Sequence, residues 1–468
     1  MREKEPAGFD VIIVGGGPAG LFAACRLAEG TDLSICLLEQ GQEADRRKCP
    51  AGSGGVCRHC QPHCHILSGL GGAGLFSDGK LNFIPKLGKS DLTQFMPLPR
   101  AQELIAQTEA IFSRFGMDAP VFPSDWARAE EIRARAKRVG INLLLIRQKH
   151  LGSDRLLEPI AALCAHLRGL GVDIRAGRRV TELLVRENRV EGVVTPEGAL
   201  RARAVILAPG RVGADWVGGL ARSLGLGLSQ RGIEVGVRVE VHKDILQPLC
   251  EIIYDPTFFL QSSRYEDQIR TFCTNPGGFV TKEVYRDFVC VNGHSLRDIK
   301  SENSNFAFLS KVVLQDPVSD NQGYGQAIGR LATIIGGGKP TLQRFGDLTS
   351  GRRSTWKRIA KGYLEPTLRD VVPGDIAMAL PERVVANLLD GLLQLNGVLP
   401  GVTNPETLLY APEIKFFATQ VETDAHLETS VDNLFVAGDG PGLSGNIVAA
   451  AATGLIPADR IAKKFAQV

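Results

Sequence analysis

The stretch Phe9-Asp-Val-Ile-Ile-Val-Gly-Gly-Gly-Pro-Ala-Gly-Leu-Phe-Ala-Ala24 constrains this chain more than any other. A short β-branched run, Val11 to Val14, breaks into glycines and then into the helix-forming run 21–28. Gly15, Gly17 and Gly20 stand as G-x-G-x-x-G between strand and helix. Such glycines serve a tight turn, a close approach of backbone to pyrophosphate, and close packing of helix on strand. Pro18 fits the first helical turn, where its missing N–H has no partner to lose. Ala19 and Gly20 then offer amides at the positive end of the helix dipole. The run 33–39 reads as a second strand ending in an acid, Glu39, about twenty residues past Gly20, where a ribose hydroxyl needs an acceptor. Together these features predict an adenine-dinucleotide site.

At 468 residues the chain is too long for one simple core, so two domains are expected. Its 44% hydrophobic and 22% charged residues, with 53 glycines, predict a soluble, turn-rich α/β protein. A formal charge of +3 over this length does not suggest a nucleic-acid partner. No apolar h-region opens the chain, and no apolar run reaches the ~18 residues of a spanning helix. A cytoplasmic protein without a membrane segment is therefore expected. The ten cysteines then read as reduced thiols, redox groups or metal ligands rather than a disulfide framework.

Cys49, Cys57, Cys60 and Cys64 share one short segment with His59, His63 and His65. That density suits zinc or an iron–sulfur cluster. It also suits a redox thiol pair, Cys57 and Cys60, held as thiolate by Arg46, Arg47, Lys48 and Arg58. Reduced structural cysteines are the third reading. The following segment, 68–80, is too glycine-rich for a regular element. It lets the backbone of Gly71, Gly72, Ala73 and Gly74 approach a ligand, with Ser77, Asp78 and Lys80 at its polar end. A mobile surface loop is the alternative.

Runs over 101–115 and 127–138 read as two helices of an insertion spanning 101–149. A helix over 154–168, a short strand at 172–175, and strands at 179–186, 189–195 and 200–207 follow. The last three form a meander returning to the parallel sheet. It ends in Ala208-Pro-Gly210, where flavoproteins of the glutathione-reductase type often read Ala-Thr-Gly, and this favours FAD over NAD. From 233 the chain alternates as strands do (234–241, 268–273, 279–285, 287–292), with helices near 323–335 and 381–396. There His294 is the candidate acid–base group, beside polar residues at 301–305. A second strand–turn–helix unit closes the chain. Gly438 and Asp439 end its strand, and Gly445, Asn446 and Ile447 open a helix of small residues. Asp439 suits ribityl hydroxyls, and the helix N–H groups suit the flavin pyrimidine edge. The expected layout is a discontinuous FAD-binding domain (1–100, 150–232, 405–468), the insertion 101–149, and a mostly antiparallel β substrate domain, 233–404.

These motifs together resemble FAD-binding proteins of the glutathione-reductase structural class. More closely, the chain is similar, nearly end to end, to a bacterial family of mostly uncharacterised FAD-dependent dehydrogenases. The likeness rests on the Cys-Pro…Cys-x-x-Cys-x-x-x-Cys segment, the 68–80 segment and His150-Leu-Gly-Ser-Asp154. It continues through Gly236-Val-Arg-Val-Glu240, Phe272-Cys-Thr-Asn-Pro-Gly-Gly278, Ser301-Glu-Asn303 and Tyr410-Ala-Pro-Glu-Ile-Lys-Phe416. The resemblance implies that 68–80 is a flavin cradle. Two positions depart from it: Asn275, where such proteins tend to carry cysteine, and Ser444-Gly-Asn446, where they tend to carry Thr-Arg-Gly.

Several flavoenzyme classes are excluded by absence. Gly438-Asp-Gly-Pro-Gly442 lacks the Gly-Asp-Ala-Ala-His of aromatic hydroxylases, and Trp126, Trp216 and Trp356 are too far apart for a halogenase Trp-x-Trp-x-Ile-Pro. Ile334-Ile-Gly-Gly-Gly-Lys339 is no second dinucleotide motif, so no separate nicotinamide domain is expected. The expectation is an FAD-dependent dehydrogenase or desaturase that moves hydride from a C–C or C–N bond of a small or medium organic substrate to flavin N5. NAD(P)H as an external reductant is a further option. One alternative is an electron-transfer flavoprotein or reductase that works with a redox partner through the Cys49–Cys64 cluster. The other is a non-catalytic FAD-binding redox sensor.

Overall fold

The computed structural model describes residues 8–50, 60–77, 79–152, 155–229, 232–285, 287–296, 299–314, 320–415 and 419–466. The chain forms two compact units, one of Met1–Ala119, Lys149–Gln230 and Ala418–Val468, the other of Pro120–Gln148 and Arg231–Phe417. The stretch expected as one insertion, 101–149, is thus divided. Helix Leu98–Arg114 buries Ala101, Leu104, Ile105 and Phe112 in the first core, where Phe112 meets Phe22 at 4.6 Å between ring centroids. Helix Trp126–Arg138 buries Ala129 and Ala136 in the second. Helical periodicity identifies an apolar face and leaves open which core receives it. Strand Leu408–Lys415, expected in the cofactor domain, lies in the second unit's sheet.

The first unit is built on a sheet ordered Glu182–Arg186, Arg189–Thr195, Gly198–Leu207, Phe9–Val14, Ile35–Glu39, Asp173–Ala176. Leu434–Val436 pairs in parallel with the end of Gly198–Leu207. The pairings around Phe9–Val14 are parallel, and Val11, Ile12 and Ile13 are fully buried, as an unbroken apolar run requires when both faces are covered. The expected meander is present and antiparallel. Helices Pro18–Gly30 and Ile447–Ala466 lie against each other closely enough that a Cβ on Gly454 would stand 2.1 Å from the Ala19 carbonyl oxygen. The buried run Ala449 to Ala452 allows that approach.

The second unit centres on an eight-stranded sheet. Its order is Val372–Pro373, Thr341–Arg344, Leu408–Lys415, Ile233–His242, Asn303–Val312, Gln268–Asn275, Thr257–Gln261, Asn142–Leu144. Every neighbouring pair is antiparallel except the first, which is parallel. Helices Asn321–Ile335 and Glu382–Leu395 fall where the sequence places them. The polar cluster read at 301–305 instead opens the central strand Asn303–Val312, with Asn303, Ser304 and Asn305 buried.

Gly454→Ala places a methyl group on the Ala19 carbonyl. The expected cost is about 1–3 kcal/mol, read as a lower urea midpoint at unchanged slope. An unchanged midpoint would contradict the helix contact.

Candidate functional site

The first glycine turn is fixed by sterics. Gly15 has φ +110°, and a Cβ there would meet the Ala208 carbonyl oxygen at 2.1 Å. The Ala208 amide donates to the Val14 carbonyl at 2.8 Å, so the turn Ala208-Pro-Gly210 passes the dinucleotide motif as expected. A Cβ on Gly20 would meet the Gly15 carbonyl oxygen at 1.9 Å, the close strand–helix packing that the third glycine serves. Helix Pro18–Gly30 starts at Gly17 with no side-chain cap and no acid in its first turn. Its ladder opens with the Leu21 amide on the Gly17 carbonyl at 2.9 Å. The amides of Ala19 and Gly20 therefore have no intrahelical acceptor.

Glu39 stands at its strand end, 6% exposed, and its carboxylate gathers backbone donors. Oε2 accepts from the Gly16 amide at 2.7 Å, and Oε1 from Gly41 at 2.8 Å and Gly69 at 2.9 Å. A carboxylate has about four lone-pair sites, so these three donors leave about one.

Arg47 does the complementary task. Its guanidinium donates to the carbonyls of His65, Ile66, Gly69, Leu70 and Gly72 at 2.6–3.3 Å. It also lies over the Phe76 ring at 4.9 Å. Burial pushes it down to about 10, opposed by Glu39 and Cys64, so it stays charged at neutral pH. In the redox-thiol reading Arg47 is one of four bases beside a thiolate; in the structure it serves the glycine segment. The reason lies in the backbone. Gly69, Gly71 and Gly72 all have positive φ, no ladder pairs them, and buried carbonyls need donors.

So held, the segment meets the first turn directly. The Gly71 amide donates to the Gly16 carbonyl at 2.8 Å, and a Cβ on Gly72 would lie 2.9 Å from Gly17 Cα. Ala73–Phe76 forms a short 3-10 turn, and Ser77 Oγ donates to the Gly74 carbonyl at 2.7 Å. Asp78 and Cys57 lie outside the described residues.

The carboxy-terminal turn belongs to the same unit. Gly438 has φ +81°, and a Cβ there would lie 3.1 Å from Ala19 Cβ. Asp439 Oδ1 accepts from Ser444 Oγ at 2.6 Å, and Oδ2 from Arg211 at 3.3 Å. Asn446 Oδ1 caps the Ala449 amide at 2.9 Å, while its Nδ2 donates to Ser90 Oγ at 3.2 Å. Lys89, which the sequence reading missed, lies over Gly445, where a Cβ would stand 2.5 Å from its Cε. Ile447 approaches the position a Cβ on Gly74 would take, at 3.6 Å. The expected glycine-lined residues are thus brought together.

Cys49, Cys60 and Cys64 are half-buried and not disulfide-bonded. Among the described residues no group of three or more His, Cys, Asp or Glu is placed to hold a metal. Burial and the neighbouring His65 push His63 below the ordinary imidazole value.

The second unit contains a buried polar network that sequence reasoning did not assemble. Arg238, fully buried, pairs with Glu413 through two bonds of 2.6 and 2.7 Å. It also donates to the Cys273 carbonyl at 2.9 Å, Asn292 Oδ1 at 3.1 Å and Asn305 Oδ1 at 3.3 Å. Lys415 Nζ reaches Glu413 at 2.9 Å. Nearby, buried Glu240 accepts from Tyr410 at 2.5 Å and from Thr367. A charge inside an apolar strand alternation was the available signal. His294 ends the hairpin of Phe279–Val284 and Val289–His294, opposite Phe279.

With dinucleotide-type turns and glycine cradle in place, the first unit defines a flavoprotein of α/β construction. Residues 10–238 match the family described as FAD dependent oxidoreductase (DAO), and residues 233–415 match FAD-dependent protein, C-terminal domain-like. On these matches the chain is an FAD-dependent oxidoreductase enzyme, similar to that family over just under half of its length. It is 25% identical to an uncharacterised protein of Clostridium beijerinckii, over 97% of this chain and 81% of that one. Over 44% of its length it is 28% identical to the electron transfer flavoprotein-ubiquinone oxidoreductase of Pseudomonas aeruginosa, of which it spans 34%. Among solved structures, glycine oxidase from Geobacillus kaustophilus aligns over 97% of this chain and 95% of its own, with TM-score 0.39 and 15% identity. The E. coli quinol fumarate reductase subunit FrdA aligns over 99% and 71%, with TM-score 0.42 and 14% identity. No helix among the described residues is long and apolar enough to cross a membrane.

Arg47→Met leaves several buried carbonyls without a donor. The expected destabilisation is about 3–5 kcal/mol, with Arg47→Lys intermediate because a point charge cannot span the same fan of acceptors. In a double-mutant cycle with Glu39→Gln, unfolding should show coupling of about 0.5–3 kcal/mol. Strict additivity would mean the two residues hold the loop independently.

Proposed function

We propose that the first unit holds FAD in a glutathione-reductase-type manner and that the enzyme dehydrogenates a small or medium organic substrate at a C–C or C–N bond. The observation that carries this reading is the gathering of three glycine-rich stretches, 15–20, 69–74 and 438–445, around an uncapped helix start. Methyl groups at Gly15, Gly20 and Gly72 would strike the chain's own backbone, so these glycines are what lets the stretches pack main chain on main chain around that helix start.

In this reading Ala19 and Gly20 donate to the pyrophosphate, and Glu39 offers its remaining lone pair to the adenosine ribose. Gly71, Gly72, Ala73, Gly74 and Ser77 line the cradle, and Ala208 and Gly210 keep its wall low. Asp439, oriented by Ser444 and Arg211, accepts from ribityl hydroxyls. The first amides of helix Ile447–Ala466, beside Gly445 and Asn446, stabilise negative charge on the ring. FAD supplies the hydride acceptor when bound. Among the residues of the second unit, His294 is the acid–base candidate. The 28% identity to an electron transfer flavoprotein-ubiquinone oxidoreductase favours a second reading, in which electrons leave to a redox partner through the Cys49–Cys64 cluster.

Anaerobic mixing of purified holoprotein with amines, amino acids, saturated acids and NADPH, followed at the flavin bands, tests the choice. Bleaching by an organic donor without NADPH is expected; bleaching by NADPH alone would overturn the dehydrogenase reading. Asp439→Ala should weaken FAD binding by about tenfold or more, measured by equilibrium dialysis. Wild-type retention would remove Asp439 from the site.

A further inference from the structure

Residues 351–364 hold five bases, Arg352, Arg353, Lys357, Arg358 and Lys361, and no acid. The whole chain has 54 basic and 51 acidic residues, so outside this segment the acids outnumber the bases. The segment belongs to the second unit and follows strand Thr341–Arg344. Its buried Ile359 and Leu364 anchor it in an apolar cluster with Leu342 and Leu408.

A single carboxylate holds the segment from within. Asp347, fully buried, accepts from Arg352 Nε and from Ser354 Oγ, each at 2.8 Å. Arg344 and Arg358 stand 3.7 and 3.8 Å from the same carboxylate. Ser354 Oγ also accepts from the Arg344 amide at 2.8 Å, and the Arg352 carbonyl accepts from Gln343 Nε2 at 2.9 Å. The acid is thus shared by three guanidiniums and shows nothing to solvent. Arg353, Lys357 and Lys361 are exposed, and among the described residues none of them has a carboxylate partner. Unpaired charges on a backbone fixed in this way meet an anionic partner with little reordering.

The second observation is an open cleft of about 300 Å³ between residues 353–356 and 371–373. Trp356 is 47% exposed on one side of it. Val372, 37% exposed on the other, lies in the outermost strand of the eight-stranded sheet. Tryptophan and arginine are the side chains on which binding energy concentrates. The hydroxyls in the cleft are engaged, Ser354 on Asp347 and Thr355 as the cap of the Arg358 amide at 3.3 Å. The side-chain groups left for a ligand are the Arg353 guanidinium and the Trp356 indole N–H, both donors. An apolar slot rimmed by donors fits an apolar side chain flanked by acceptors.

We propose that this face of the second unit docks an acidic polypeptide. Its carboxylates meet Arg353, Lys357 and Lys361, and one apolar or aromatic side chain enters the cleft beside Trp356. A nucleic acid calls for a basic stripe along a whole face, and a lipid surface for an extended apolar one. Here the bases fill one short segment, and the apolar part is a slot.

The test uses full-length holoprotein and a fluorescein-labelled peptide of glutamates around one phenylalanine, followed by fluorescence anisotropy. Saturable binding is expected, weakened about tenfold or more between about 50 and 500 mM salt. The triple reversal Arg353→Glu, Lys357→Glu, Lys361→Glu should cost at least about tenfold in affinity. Trp356→Ala should cost about tenfold with the salt response unchanged. All four side chains are exposed, so circular dichroism and flavin absorbance should stay as in the wild type. Absent binding, equal binding of a peptide with glutamine for glutamate, or wild-type affinity in the folded triple variant overturns the proposal. Should that variant misfold, the glutamine peptide and the salt response still decide. Tighter binding to a single-stranded oligonucleotide or to phosphatidylserine vesicles than to the peptide overturns the choice of a polypeptide. Wild-type affinity in Trp356→Ala overturns the seat given to the apolar side chain.

Discussion

The glycine segment depends on two buried charges, one gathering amides and the other carbonyls, that meet at Gly69. Glu39 collects amides from three separate glycines, and Arg47 collects carbonyls from the segment that follows the cysteines. Neither task suits a neutral side chain, because a hydroxyl or amide offers too few acceptors or donors for such a fan. The loop needs this support because glycines at positive φ cannot enter a helix or a ladder, yet they are what brings bare backbone to the first turn. Stability and binding surface thus have one source. If Glu39 also receives a ribose hydroxyl, cofactor and loop order are linked through a single carboxylate.

The second unit solves a similar problem with side chains paired across strands. Arg238–Glu413 and Glu234–Arg270 are both bidentate, and all four residues are buried within the sheet. Such pairs add little net stability over apolar packing, but a slipped strand would strand each charge alone, so they fix register. Glu240 behaves differently. Burial pushes its carboxyl above the ordinary value despite hydrogen bonds from Thr367 and Tyr410. Between the unfolded and folded values the unfolded chain holds fewer protons, so this residue lowers stability as pH rises through that window.

How much of this was legible follows from what sequence encodes locally. The dinucleotide turn, its acid and the meander are contiguous in the chain, and their spacing carried them. Strand Asn303–Val312 opens with three polar residues, and its place between two other strands hides them from any alternation rule. Arg47 sits among cysteines and other bases, so its neighbours in sequence pointed to thiols, while its partners lie some twenty residues on and become visible only once the loop folds back. The motifs at 236–240, 272–278 and 410–416 carried the family likeness without a role. In space Arg238, Cys273, Asn275 and Glu413 prove to be one network.

The two departures from the family pattern make structural sense as replacements by asparagine. Asn446 caps the carboxy-terminal helix through Ala449, a bond worth about 0.5–2 kcal/mol, and ties it to Ser90. That cap consumes one helix amide and leaves those before it for a ligand. Asn275 sits where such proteins tend to carry a second cysteine, two residues from Cys273. The amide at this position donates to both the carbonyl and the sulfur of Cys273, so it ties the left-handed turn of the strand to its own neighbour and, through Asn305, to the next strand.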